Sequence, residues 1–138
     1  MSIIADNKKL VETLVKSVFQ NHDFSLLNEI MRDDYIHHGD GPPQWKAGFI
    51  KIHEQFIKAI PDFRYNIKKI IAEDDTVMMY SNVTGTHKGE WLGNPPTGNK
   101  INYDVVDIFR IENGKIAEHW HVIDTLTLFT QVGKIKQQ

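Results

Sequence analysis

Residues 100–123 read KINYDVVDIFRIENGKIAEHWHVI, and this stretch decides the fold. Two runs rich in Ile, Val, Tyr and Phe alternate apolar and polar side chains around Glu112-Asn113-Gly114. Period-two alternation broken by a turn signal is a β-hairpin. Asn-Gly suits a two-residue turn, and Glu112-Asn113-Gly114 also suits a three-residue loop with a bulge and Gly114 in the left-handed position. The three-residue loop puts the single Gly where positive φ is needed, and Ile111 and Lys115 become the closing pair. Asp107 then faces His119, Val105 faces His121 and Tyr103 faces Ile123. Opposite residues share a face. One face therefore gathers Tyr103, Val105, Asp107, Phe109, Ala117, His119, His121 and Ile123. The other carries Asp104, Val106, Ile108, Arg110, Ile116, Glu118, Trp120 and Val122.

The first face is an apolar wall holding one carboxylate and two imidazoles. An Asp beside an imidazole fixes its tautomer and raises its basicity, which suits general acid–base chemistry. Two other readings stay open. Asp107 and His119 can form a buried structural hydrogen bond. His119 and His121, with His38 or Asp107, can supply three metal ligands for a hydrolase or oxygenase.

Upstream, residues 64–72 and 76–86 form a second hairpin around Glu73-Asp74-Asp75. Before them the period is helical. Leu10, Val11, Leu14, Val15, Val18 and Phe19 make an amphipathic stripe, with Asp6 as its N-cap. Leu26, Leu27, Ile30 and Met31 suggest a second short helix, and Tyr35 to His38 a short strand. A third helix runs from Lys46 to Ile60, ended by Pro61. Asp124 caps a final short helix that stops at Gly133. Helices first and strands after is an α+β order, with three N-terminal helices laid on a bent antiparallel sheet around a pocket.

The chain has 138 residues, enough for one domain with its own core, and no internal linker or repeat divides residues 1–138. It contains no Cys, which removes disulfides, thiolate zinc sites and Cys nucleophiles. A formal net charge of −2 offers nucleic acid no basic field. No apolar run approaches the roughly 20 residues that span a bilayer. The N-terminus lacks a secretory apolar core, so the cytoplasm is the expected compartment. Seven His remain, four of them in the groups His37-His38 and His119-Trp120-His121.

Residues 85–98, GTHKGEWLGNPPTG, resemble the GTHxGExxGxPPTG loop of the SnoaL-like polyketide cyclases, also called ester cyclases. Val106 to Arg110, Asn113 to Ile116 and Glu118-His119-Trp120 resemble that family's closing hairpin. Pro61-Asp62-Phe63, Asp124-Thr125-Leu126 and Val132-Gly133 are similar to its junction and terminal segments. The resemblance implies a cone-shaped barrel around a deep pocket, the nuclear-transport-factor-two-like fold, usually a homodimer through the sheet. It implies intramolecular aldol cyclisation of a polyketide ester by an acid/base carboxylate, without metal or cofactor. Ketosteroid isomerases share the fold. Their pocket Asp, which stays protonated to donate to an oxyanion, matches Asp107, and their base Asp falls near Gly39-Asp40. The cyclases' acid/base Asp falls at His121.

These readings converge on His121 as general base, Asp107 as donor or orienter and His119 as its partner. His38, Tyr103, Phe109, Trp45 and Ile123 are expected to touch the substrate, a small apolar carbonyl compound. His38 is preferred to His37 at the pocket rim. Trp45 and Trp91 read as lids or ordinary packing, His87 as structural, and His53 as satisfied or exposed in preference to lining the pocket. Arg110 and Trp120 suit a dimer interface. The alternative is a non-catalytic binding protein for a hydrophobic ligand.

Overall fold

The computed structural model describes residues 3–39 and 41–135, so Asp40 lies outside the described residues. Helix α1, Ile3–Thr13, runs on into a π-helical segment, Leu14–Gln20. The wider turns turn Leu14, Val15, Val18 and Phe19 all toward the core. Asp6 sits inside the first turn rather than at the cap, where its charge still suits the helix N-terminus. A 3-10 turn, Phe24–Leu26, leads into α2, Leu27–Ile30. Strand β1 then spans Met31–His38 and takes Met31, expected at the end of the helix, into the sheet. Helix α3 is Lys46–Ala59. Strands β2 (Arg64–Glu73), β3 (Thr76–Thr86), β4 (Lys100–Glu112) and β5 (Lys115–Ile123) follow, and α4, Thr125–Gln131, closes the chain. Asp124 caps α4, accepting from the Thr127 N–H at 3.2 Å and its hydroxyl at 2.7 Å.

The sheet order is β1-β5-β4-β3-β2. All pairings are antiparallel except the edge pair, where β1 runs parallel to β5. The curled sheet and its helices form the cone expected from the sequence. The core lies between them, where Leu14, Val18, Phe49, Met79 and Phe109 are fully buried. Each such side chain contributes about 1.5–3 kcal/mol of burial. No described helix is long and apolar enough to cross a membrane.

The register of the closing hairpin differs from the three-residue expectation. Glu112 pairs with Lys115 around Asn113-Gly114. Both turn residues have positive φ, 51° and 74°, the two-residue turn whose twist suits antiparallel strands. A bulge follows, because Ile111 pairs with Ile116 and Arg110 already with Glu118, leaving Ala117 as the extra residue. Turn and bulge each slip the register by one. Together they slip it by two, so Asp107 pairs with His121 and Phe109 with His119. Beyond the bulge the even slip keeps each side chain on its expected face, and Tyr103, Asp107, Phe109 and His119 are all buried. Between turn and bulge the slip is one, so Ile116, expected on the outer face, pairs with Ile111 and is buried.

The loop at residues 87–99 is held by its own motif. The His87 N–H donates to Asn99 O at 2.9 Å, and the Thr97 N–H donates to His87 Nδ1 at 3.3 Å. The Lys88 and Gly89 N–H groups donate to Ala59 O at 2.9 and 3.0 Å, closing the end of α3. Asp62 accepts from the N–H and hydroxyl of Thr86, both at 2.8 Å. His87 is fully buried and serves this loop.

Candidate functional site

The cavity has two joined compartments. An inner chamber of about 140 Å³ lies between α3 and the inward face of β2, β4 and β5. An outer vestibule of about 250 Å³ lies toward Gly39, Gln44, Leu92 and Phe129. His37, His121, Trp91 and Ile123 line both and mark the neck between them. The inner wall is mostly apolar, from Phe19, Phe56, Phe63 and Val105.

Alternation along β4 and β5 sends Asp107, His119 and His121 inward. Asp107 is 3% exposed and His119 is 2% exposed, so each must find partners inside the protein. His119 Nε2 lies 2.7 Å from Asp107 Oδ1, a diagonal contact across the hairpin. The Tyr65 hydroxyl, from β2, donates to Asp107 Oδ2. The Tyr35 hydroxyl, from β1, lies 3.1 Å from His119 Nδ1. One proton arrangement satisfies the chain: Tyr35 O–H donates to His119 Nδ1, His119 Nε2–H donates to the Asp107 carboxylate, and Tyr65 O–H donates to its other oxygen. Burial, with the Asp107 charge behind it, pushes both tyrosine hydroxyls well above the usual phenol range, so they remain donors. Both oxygens of Asp107 are engaged within the protein.

A second pair stands at the neck. His37 Nε2 and His121 Nδ1 are 2.8 Å apart. His37 also stacks on His119 at 4.6 Å, and Phe109 stacks on the opposite face of that ring at 4.3 Å. Burial, with His119 and His121 alongside, holds the His37 pKa down at about 2, so the ring stays neutral at physiological pH. Gly39 lets the chain pass His121 closely: a Cβ at that position would stand 2.8 Å from His121 Cε1.

The structure brings Asp107, His119, His121, Tyr103 and Ile123 to one cavity. It does not bring three of the expected contacts there. His38 points to the outer face, where Nε2 meets Glu118 at 2.7 Å and the ring stacks on Trp120 at 5.2 Å. Burial alternates from Tyr35 onward, so Tyr35 and His37 face inward and His38 cannot. Trp45 precedes α3 and is 57% exposed. Phe109 lies fully buried behind His119, supporting the wall rather than touching a ligand. Sequence reasoning missed Tyr35, ranked His37 below His38, preferred a satisfied or exposed position for His53 over one in the pocket, and missed Tyr65. Tyr35-x-His37 alternation in β1 was the available signal for the first two. His53 lines the inner chamber from α3, and its Nδ1 lies 3.0 Å from Phe49 O. Among the described residues no three His, Asp or Glu side chains are arranged to hold a metal ion.

The family model for SnoaL-like polyketide cyclase matches residues 9–132. Among solved structures, AclR of Streptomyces galilaeus, a "putative hydroxylase", is 32% identical with a TM-score of 0.88, covering 98% of this chain and 85% of that one. IdmH of Streptomyces antibioticus, a "putative polyketide cyclase", is 25% identical with a TM-score of 0.82, covering 92% and 98%. A "Putative SnoaL-like polyketide cyclase" from Jannaschia sp. CCS1 is 19% identical with a TM-score of 0.90, covering 99% and 97%, a likeness of fold. No curated protein matches the chain.

Proposed function

The chain belongs to the SnoaL-like polyketide cyclase family, and from that premise we propose that its cavity performs acid–base proton transfer on a small apolar carbonyl compound or ester. His121 is the base. The observation that carries this reading is the His37–His121 pair at the neck. A histidine base that takes a proton on one ring nitrogen inside an apolar cavity needs an acceptor for the N–H on the other. His37, held neutral, offers its Nε2 lone pair to the His121 Nδ1–H at 2.8 Å. The Asp107 carboxylate, paired across the strands with His121, adds a favourable field for the imidazolium.

The proton leaves the carbon next to the substrate carbonyl and goes to His121, and the electron pair moves onto the carbonyl oxygen as an enolate. Tyr103 donates to that oxygen. Burial raises the pKa of its hydroxyl, so it enters the reaction protonated. In an aldol cyclisation the enolate carbon attacks a second carbonyl of the same molecule, and His121 returns the proton to the new alkoxide. In an isomerisation the proton returns to a different carbon. His119, fixed by Asp107, Tyr35, His37 and Phe109, keeps the wall rigid around the pair.

A second reading draws on AclR, the 32% identical "putative hydroxylase". Proton removal from a carbon acid also precedes some oxygenations, and uptake of dioxygen with substrate separates that outcome from cyclisation. The exposed apolar side chains Met78, Tyr80 and Val122 on the outer sheet face support assembly as a homodimer. The test is exchange of solvent deuterium into a small ketone, 2-tetralone, at the carbon next to its carbonyl. Acceleration above the buffer rate supports proton transfer. Saturable binding without acceleration supports a ligand-binding protein instead.

A further inference from the structure

His53 is unused by the chemistry above, yet it lines the inner chamber. Its Nδ1 lies 3.0 Å from the carbonyl oxygen of Phe49, four residues earlier on α3. A carbonyl only accepts, so Nδ1 carries the hydrogen and donates. Burial holds the His53 pKa at about 4, so at neutral pH the ring has no second N–H. Its Nε2 is therefore a bare acceptor. The ring packs against Phe49, at 4.1 Å, and Phe19, at 4.7 Å. No hydrogen bond from a described residue meets Nε2, and the ring is part of the chamber's lining.

The other polar groups of the inner wall differ from it. Both Asp107 oxygens and both His119 nitrogens are engaged within the protein. The Tyr103 hydroxyl has no described hydrogen-bond partner, and it serves as a donor. Apart from the His37–His121 pair, the described lining thus offers one acceptor, His53 Nε2, and one donor, the Tyr103 hydroxyl, in an apolar wall. An unmet acceptor in such a site discriminates strongly, because a ligand without a donor leaves it desolvated and unpaired.

We propose that His53 is a specificity-determining residue that accepts a hydrogen bond from a hydroxyl of the ligand, so that the inner chamber selects phenols and enols over their ethers and hydrocarbons. The proposal rests on the reading that this cavity is the ligand site, and it stands whether or not His121 moves a proton. The same hydroxyl would place an adjoining carbonyl within reach of the Tyr103 donor.

Binding of 2-naphthol and 2-methoxynaphthalene at pH 7.5, measured by calorimetry, tests it. The two share a ring system, and only the first has a donor. One neutral hydrogen bond corresponds to roughly a 3–10-fold preference. The wild type should prefer 2-naphthol by that factor. His53→Phe should abolish the preference by weakening 2-naphthol alone, and His53→Gln, which keeps an acceptor, should restore part of it. In the wild type, the nitrogen-15 resonance of Nε2 should move upfield with 2-naphthol and stay put with 2-methoxynaphthalene. No wild-type preference, a preference that survives in His53→Phe, or an unmoved Nε2 resonance overturns the proposal. Failure of deuterium exchange alongside an intact naphthol preference removes only the proton-transfer reading, and the reverse pattern removes only this one.

Discussion

Replacing Asp107 by Asn tests the buried network with almost no change of shape. The carboxylate accepts twice, from His119 Nε2 at 2.7 Å and from the Tyr65 hydroxyl. An amide has one oxygen and one N–H2, so one of the two donors must meet another donor. If the N–H2 faces His119, the ring must move its proton to Nδ1, where the Tyr35 hydroxyl now donates at 3.1 Å. If it faces Tyr65, that hydroxyl must turn into the chamber. Either way one charge-assisted hydrogen bond is lost, and such bonds contribute about 1.5–3 kcal/mol. We expect Asp107→Asn to lose about 2 kcal/mol, a Tm drop of about 6–8 °C for a domain of this size. Asp107→Leu leaves two buried donors unmet, each costing about 1–3 kcal/mol, and should lose more. Urea unfolding followed by circular dichroism at pH 7.5 measures both. The double variant with Tyr65→Phe should lose less than the sum of the single losses, because the two share one hydrogen bond. An Asp107→Asn protein within 0.5 kcal/mol of wild type, on the scale of an ordinary surface change, would refute the network as drawn.

Two further outcomes follow from the same geometry. His37 and His53 have folded pKa values of about 2 and about 4, below the 6.5 of a free histidine, so the unfolded chain binds their protons first. Stability should therefore be full above pH 6.5 and fall as pH drops, through pH 4 for His53 and on toward pH 2 for His37. The slope should be up to about 1.4 kcal/mol per pH unit for each; urea midpoints at pH 7.5, 6 and 5 measure it, and His53→Phe should flatten it. Gly39→Ala places a methyl 2.8 Å from His121 Cε1 and should push that ring off His37. Deuterium exchange into 2-tetralone should then drop at least about tenfold, while the unfolding free energy changes by less than about 1 kcal/mol.

The faces of the closing hairpin were legible in the sequence because strand alternation has a period of two. The register was not, because it depends on φ at Asn113 and on the Ala117 bulge, and neither leaves a pattern in composition. Two single slips happened to cancel in facing, so Asp107 and His119 still meet, though diagonally. His37 and His38 are adjacent, and choosing between them required the facing of the strand beyond the register shift between Met31 and Ile36. Tyr35 and Tyr65 reach Asp107 and His119 from β1 and β2, strands far away in sequence. Their convergence is a product of sheet order, including the parallel edge pair that a helices-then-strands reading does not reveal. The motif loop was legible as a family mark, and its residues hold the end of α3 rather than the chemistry.

The central claim is that His121 moves a proton. The most direct measurement compares deuterium exchange into 2-tetralone by the wild type, His121→Phe and the outer-face variant His38→Ala. A positioned general base contributes about 100-fold or more, so the wild type and His38→Ala should exceed the buffer rate by that order. His121→Phe should fall to the buffer rate while still folding and binding the ketone. Exchange that persists undiminished in His121→Phe would contradict the account.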